Sequence, residues 1–299
     1  MCQAQNDFKQ IQPDSLLKSI TSMTSRIEMP VYGLKVTPSI LTALNKLDVE
    51  SYEMASSSDI NVHVEKALTG NAPLDKAINS CYEALFILMV AIENKEKPNL
   101  RKINHQSKRL ATLLCQSPEH CFKFYSEGLK SPVLLDRLVR VGLLAGLFAN
   151  YLEFEFESVV DLVKSGLLHD VGMITINRNS DELSASEAIQ KHVAVIHDII
   201  EQDLMSTSCY VCDAIITHHE RVDGTGYPSQ LKDEEIPFWG KIVAILSAFD
   251  GIASGLLESN PQNSLIAAND QIQQRTGTYF DRSLCLSFDK FLGSMLSIW

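Results

Sequence analysis

Residues 216–228 read I-T-H-H-E-R-V-D-G-T-G-Y-P, and no other stretch restricts what this chain can fold into as tightly. Two adjacent histidines close an apolar run of helical period and lead into a loop of one acid and two glycines. Upstream, Val211, Ile215 and His218 share one helical face, and Cys212, Ile216 and His219 share the next. Neighbouring helical residues diverge by about 100°, so His218 and His219 should point at different places. A centre for one ion does not easily use both, whereas a wider centre with ions side by side can. The structural alternative is a helix C-terminus, where a protonated imidazole meets the negative end of the dipole.

The rest of the chain allows a sizeable core around that stretch. At 299 residues, with 45% apolar and 21% charged side chains, it suits one large or two modest globular domains. A formal net charge of −11 argues against a nucleic-acid polymer or an anionic membrane as the main partner. The longest purely apolar run, 84–92, is too short to span a bilayer. The first residues lack the basic and apolar parts of a signal peptide, so a cytoplasmic location is expected. Seven cysteines show no disulfide-like framework. Cys209 and Cys212, spaced C-x-x-C in an apolar helical stretch, read as buried free thiols.

Taken in order, residues 1–30 are polar and weakly periodic and read as a short helix or a loose arm. Residues 30–36 read as extended, and Thr37-Pro38 starts a helix with Thr37 as N-cap and Ile40, Leu41, Leu44 and Leu47 as its apolar stripe. Residues 49–54 alternate like a strand. His63 reads as surface. The pattern over 62–92 is helical, and the charged, proline-ended stretch 93–99 is the best linker. Helices follow over 131–152, 157–168, from 181 through His192, and 241–256, with 262–299 completing the domain. The expected division is therefore 1–97, an N-terminal regulatory module, and 98–299, a helical domain.

A His169-Asp170 pair after the apolar 165–168, a separate His192, then His218-His219-Glu220 and Asp223-Gly224-Thr225-Gly226-Tyr227-Pro228 resemble the HD-GYP family of bacterial metal-dependent phosphohydrolases, over about 110–260. The resemblance implies a mainly α protein, an HD-type helical bundle preceded by a small α/β N-terminal module. It implies hydrolysis of cyclic di-GMP, or a related nucleotide, at a centre of two or three ions. Its ligands here would be His169, Asp170, His192, His218 and His219, with Asp170 the bridging, catalytic carboxylate. Imidazoles and a carboxylate suit iron, manganese or zinc. The resemblance gives the loop Asp223, Gly224, Gly226, Tyr227 and Pro228 a part in the mouth of the site and in contacts with diguanylate cyclase domains. Gly224 and Gly226 allow positive φ and close backbone approach.

The chain departs from the family pattern where it matters. Arg137 stands in place of the first metal-binding histidine, Met173 in place of a lysine, Val193 and Ile196 in place of a proline and a glycine, and Ser247 in place of the first of two aspartates, the second being Asp250. A guanidinium has no lone pair to offer a metal. Arg137 can pair with Asp170 or run out to solvent. One ion, on Asp170, His192, His218 and His219, should bind well and a second weakly or not at all. Two functions follow: a divergent phosphodiesterase with a metal-bound hydroxide, or an inactive relative that senses nucleotide or binds partners in cyclic di-GMP signalling.

Overall fold

The computed structural model describes residues 3–4, 16–22, 28–44, 49–54, 71–130, 134–175, 185–201, 207–255 and 261–298. Leu47, His63 and the helix starts read at 131 and 181 lie outside them.

The N-terminal part is an antiparallel sheet with one short helix. Strands β1 (Gln3–Ala4), β2 (Leu16–Ser22), β3 (Glu28–Lys35) and β4 (Val49–Met54) lie in the order β1-β4-β2-β3. Between β3 and β4 sits α1 (Pro38–Leu44), so the strand–helix–strand pattern is present. The Thr37 hydroxyl accepts from the Ile40 amide at 3.2 Å, the N-cap that the sequence foresees. Residues 16–22 correct the sequence reading. They form neither a helix nor an arm but β2, with Ile20 opposite Met29 on one side and Tyr52 on the other. The run L-L-K-S-I-T-S has little strand signal of its own, and pairing on both edges supplies what local propensity lacks.

The helical part begins with α2 (Ala72–Glu93), capped by the Asn71 side chain accepting from Leu74 N at 3.2 Å. Its 84–92 stretch is apolar all round and almost entirely buried. The chain then turns through 94–100, with Lys95 at φ 55° and Leu100 fully buried. It returns as α3 (Arg101–Gln116), packed against α2. Stretch 93–99 is thus a tight turn inside one continuous core rather than an extended linker, because the apolar faces of α2 and α3 need each other.

Next come α4 (Pro118–Glu127), α5 (Leu134–Tyr151) and α6 (Phe156–Leu168), with α5 and α6 in extensive contact. A 3-10 turn, Val171–Thr175, leads on, and α7 (Ala185–Glu201) packs against it. Then α8 (Cys209–Thr217) delivers the paired histidines. Helix α9 (Phe238–Gly255) touches α5, α6 and α8 and closes the site from the far side. Helices α10 (Pro261–Gln274) and α11 (Arg282–Ile298) finish the domain, with Phe148, Phe249 and Phe288 edge to face between α5, α9 and α11. No helix among the described residues is long and apolar enough to cross a membrane.

The C-x-x-C thiols are free but not buried. Cys209 is exposed and Cys212 half-buried, since α8 starts at the surface immediately after its Ser208 cap and only its later turns enter the core.

Candidate metal centre

Helix α6 ends at Leu168 and hands His169 and Asp170 to a tight turn; α7 carries His192, and α8 stops at Thr217, just before His218 and His219. The histidine pair does not diverge as a continuing helix would require. His218 sits at the C-cap with ψ −9°, and the two rings end 3.9 Å apart, centre to centre. One carboxylate oxygen of Asp170 and one nitrogen each of His192, His218 and His219 all lie within 4.8 Å of one another.

Backbone carbonyls set the tautomers. His169 Nδ1 is 2.7 Å from Gly166 O, and His218 Nδ1 is 2.7 Å from Ile215 O. A carbonyl only accepts, so Nδ1 carries the hydrogen and Nε2 keeps its lone pair. Both Nε2 atoms are buried without a hydrogen-bond partner. They nevertheless face Asp170 at close range, His169 Nε2 3.1 Å from Oδ2 and His218 Nε2 3.5 Å from Oδ1. These contacts are short but misaligned for hydrogen bonds, which leaves acceptor facing acceptor. Such an arrangement is stable only with a cation or proton between them.

Burial pushes the His218 imidazolium down, against the pull of Asp170. Burial first, and the neighbouring histidines after it, push His219 down as well. Burial alone would raise the Asp170 carboxyl, but the surrounding imidazoles, His169 first, outweigh it and hold it well below the usual carboxylate range. A carboxylate beside several imidazole nitrogens is the donor set of a borderline divalent ion, so these residues fit one.

Arg137, which stands where the family resemblance expects a metal-binding histidine, reaches into this cluster. Arg137 Nε donates to Asp170 Oδ2 at 2.9 Å, Nη2 donates to Ser247 Oγ at 2.9 Å, and Nη1 reaches Asp250 Oδ2 at 3.4 Å. Of the two courses open to Arg137, pairing with Asp170 is the one found. The Asp170 carboxylate is thereby divided: Oδ2 faces Arg137 and His169, while Oδ1 faces His192 and His218. His169 consequently lies outside the four-donor group. Asp250 is committed too. Arg140 Nε and Nη2 donate to its oxygens at 2.8 and 3.0 Å, and Nη1 donates to Gly128 O at 3.0 Å.

Sequence reasoning missed Arg140, although an arginine inside the apolar run L-V-R-V needs a buried partner and could have been flagged on that ground. It also left Glu220 without a role. That carboxylate is buried and accepts from the amides of Ser229 at 2.6 Å and Leu231 at 3.0 Å, tying the following loop to α8. Met173 lies in the 3-10 turn, its amide on Asp170 O at 2.9 Å, and brings no charge to the centre.

The loop divides by role. Asp223 Oδ1 accepts from the Thr225 amide at 2.9 Å and hydroxyl at 2.7 Å, so it shapes a turn. Gly224 has φ +80°, whereas Gly226 answers a different need: a β-carbon there would overlap Arg221 N and Glu220 Cα. Tyr227 stacks on His219 with ring centres 4.6 Å apart. Tyr227, Arg137, Arg221, Ser247, Arg275 and Tyr279 are among the residues around a cavity of about 410 Å³ that reaches His218 and His219. Asp223, Gly224 and Pro228 do not line it.

Residues 109–284 match the HD domain family. A cyclic di-GMP phosphodiesterase of Thermotoga maritima is 29% identical over 160 residues, 50% of this chain and 42% of that protein. The 3'3'-cGAMP-specific phosphodiesterase 2 of Vibrio cholerae is 30% identical over 135 residues, 43% of this chain and 26% of that protein. The cyclic di-GMP phosphodiesterase response regulator RpfG of Xanthomonas campestris pv. campestris is 30% identical over 172 residues, 55% and 43%. The chain spans less than half the length of these curated relatives. Among solved structures, Bd1817, a HDG"Y"P protein from Bdellovibrio bacteriovorus, shares the fold at TM-score 0.54 over 96% of each chain, with 14% identity.

Proposed function

The chain belongs to the HD domain family, in its HD-GYP group, and from that premise we propose that it binds a cyclic dinucleotide at a one-ion centre and works as a signalling module with little or no turnover. The observation that carries this is Arg137, locked between Asp170 and Ser247 where the family pattern places metal ligands.

A divalent ion (iron, manganese or zinc) held by Asp170, His192, His218 and His219 would act as a Lewis acid and neutralise phosphate charge. The chain's own groups do the rest. Arg137 supplies a fixed positive charge but, lacking a lone pair and an open coordination position, cannot generate a nucleophile. Asp170 keeps one oxygen for the ion and spends the other on Arg137. Arg221 and Arg275, in the cavity wall, can hold phosphate oxygens through paired N–H donors. A clamp on both entering and leaving oxygens needs ions about 3.5–4 Å apart, and the ligands for the second are replaced.

Slow hydrolysis is the second reading, favoured by the surviving four-donor group and by the phosphodiesterase names of the relatives. The loop that carries Tyr227, tied down by Glu220, would offer a face to diguanylate cyclase domains, and the strands and short helix that precede α2 would regulate the bundle. The test is elemental analysis of the purified protein together with calorimetric titration of cyclic di-GMP and 3'3'-cGAMP under Mn²⁺, with products followed by chromatography. About one ion per chain, saturable binding and no product are expected. Two ions with steady turnover would overturn the proposal in favour of an enzyme.

A further inference from the structure

The turn between α5 and α6 reads E-F-E-F-E over 153–157, an alternation of acid and aromatic ring that the metal centre does not use. On one side the chain supplies its own cation. The Lys108 ammonium bonds Glu157 Oε1 at 3.2 Å and lies 5.9 Å from the centre of the Phe156 ring. On the other side the rings continue. Phe154 lies 6.2 Å from Trp239 and 6.3 Å from Phe238, and Tyr210 stacks on Trp239 at 5.3 Å with 17° between planes. Tyr210 and Phe238 are 53% and 49% exposed, far more than large aromatic side chains of a packed domain usually are. Glu153 and Glu155, which flank Phe154, are exposed as well. Among the described residues, no lysine or arginine pairs with either of them.

We propose that this face is a docking surface for a lysine- or arginine-bearing segment of a partner protein. Its cations would lie over the exposed Tyr210 and Phe238 rings and pair with Glu153 and Glu155, repeating what Lys108 does at Phe156 and Glu157. Charge decides among the occupants. Exposed carboxylates on a chain of net charge −11 repel an anionic membrane or a nucleic acid. A purely apolar partner would bury Glu153 and Glu155 unpaired, at a cost that opposes binding. Desolvation under a basic segment instead strengthens both the ring and the carboxylate contacts. The surface is separate from the metal centre: Phe238 and Trp239 open α9, about two turns before Ser247.

The test is isothermal titration of the whole protein with an acetylated, amidated peptide of four Arg-Gly repeats. Saturable binding of one peptide per chain is expected, weakened at least tenfold by Tyr210→Ser and by Glu153→Gln with Glu155→Gln. The pair Glu119→Gln with Asp270→Asn, exposed acids elsewhere, should leave affinity unchanged. Absence of saturation would overturn the proposal. So would equal weakening by the control pair, which would mark diffuse attraction to an acidic protein, or equal binding of a Glu-Gly peptide. A dimer, seen by light scattering and dissolved by the Tyr210 variant, would assign the face to a second copy and overturn it too.

Discussion

Arg140 offers the sharpest test of how the site is held. Asp250 is completely buried, and Arg140 meets both its oxygens, at 2.8 and 3.0 Å, while Arg137 reaches it only at 3.4 Å. Replacing Arg140 by methionine keeps the volume roughly constant but leaves that carboxylate without its close partner. It also strips Gly128 O of a donor at 3.0 Å. Breaking a buried ion pair from one side costs about 3–5 kcal/mol, because the remaining charge stays out of water. With each kcal/mol moving the midpoint by about 2–4 °C for a domain of this size, the melting temperature should fall by about 6–20 °C. Asp250→Leu alone should cost a similar amount. Both changes together should return to within about 1 kcal/mol of the parent, since no buried charge is then left unpaired. Urea unfolding followed by circular dichroism closes the cycle. A loss below about 1 kcal/mol for Arg140→Met, or a double variant losing the sum of the single losses, would refute the claim that Arg140 neutralises Asp250.

Restoring the family ligands, Arg137→His with Ser247→Asp, should raise the metal content from about one ion towards two and bring out cyclic di-GMP hydrolysis; unchanged content would show that Arg137 is not what excludes the second ion. Added Mn²⁺ at about a hundred times its dissociation constant should stabilise the protein by about 2.7 kcal/mol, read as a rise in melting temperature that His192→Ala removes. Glu220→Gln should weaken the two amide bonds that fasten the loop and cost about 1.5–3 kcal/mol. Hydrogen exchange should then accelerate at Ser229 and Leu231 while the α5 and α6 amides stay protected.

Much of the helical structure was legible because its code is local. Thr37 capping α1, the all-apolar 84–92 run of α2 and the amphipathic period of α5 each restate a rule acting within a few residues. Strand β2 was not legible, since its stability comes from two partners that a single strand's sequence does not name. The turn at 94–100 misled for a related reason: charge and proline mark any exposed connection, whether it joins packed helices or separate units.

For the site, sequence alone determined the donor types, since imidazole and carboxylate chemistry is intrinsic to His192, His218, His219 and Asp170. It also determined that Arg137 could not ligate and that Ser247, a neutral hydroxyl, is a poor ligand. Only the tertiary structure decided which atoms meet. Asp170, from the end of α6, is split between Arg137 on α5 and the histidines of α7 and α8. Asp250 on α9 is withdrawn from the site by Arg140, a residue of the same α5 helix one turn beyond Arg137. Those outcomes depend on packing distances between helices far apart in the chain, and Coulomb energy in a buried site depends on those distances and on the loss of water. Neither quantity is written in the order of residues.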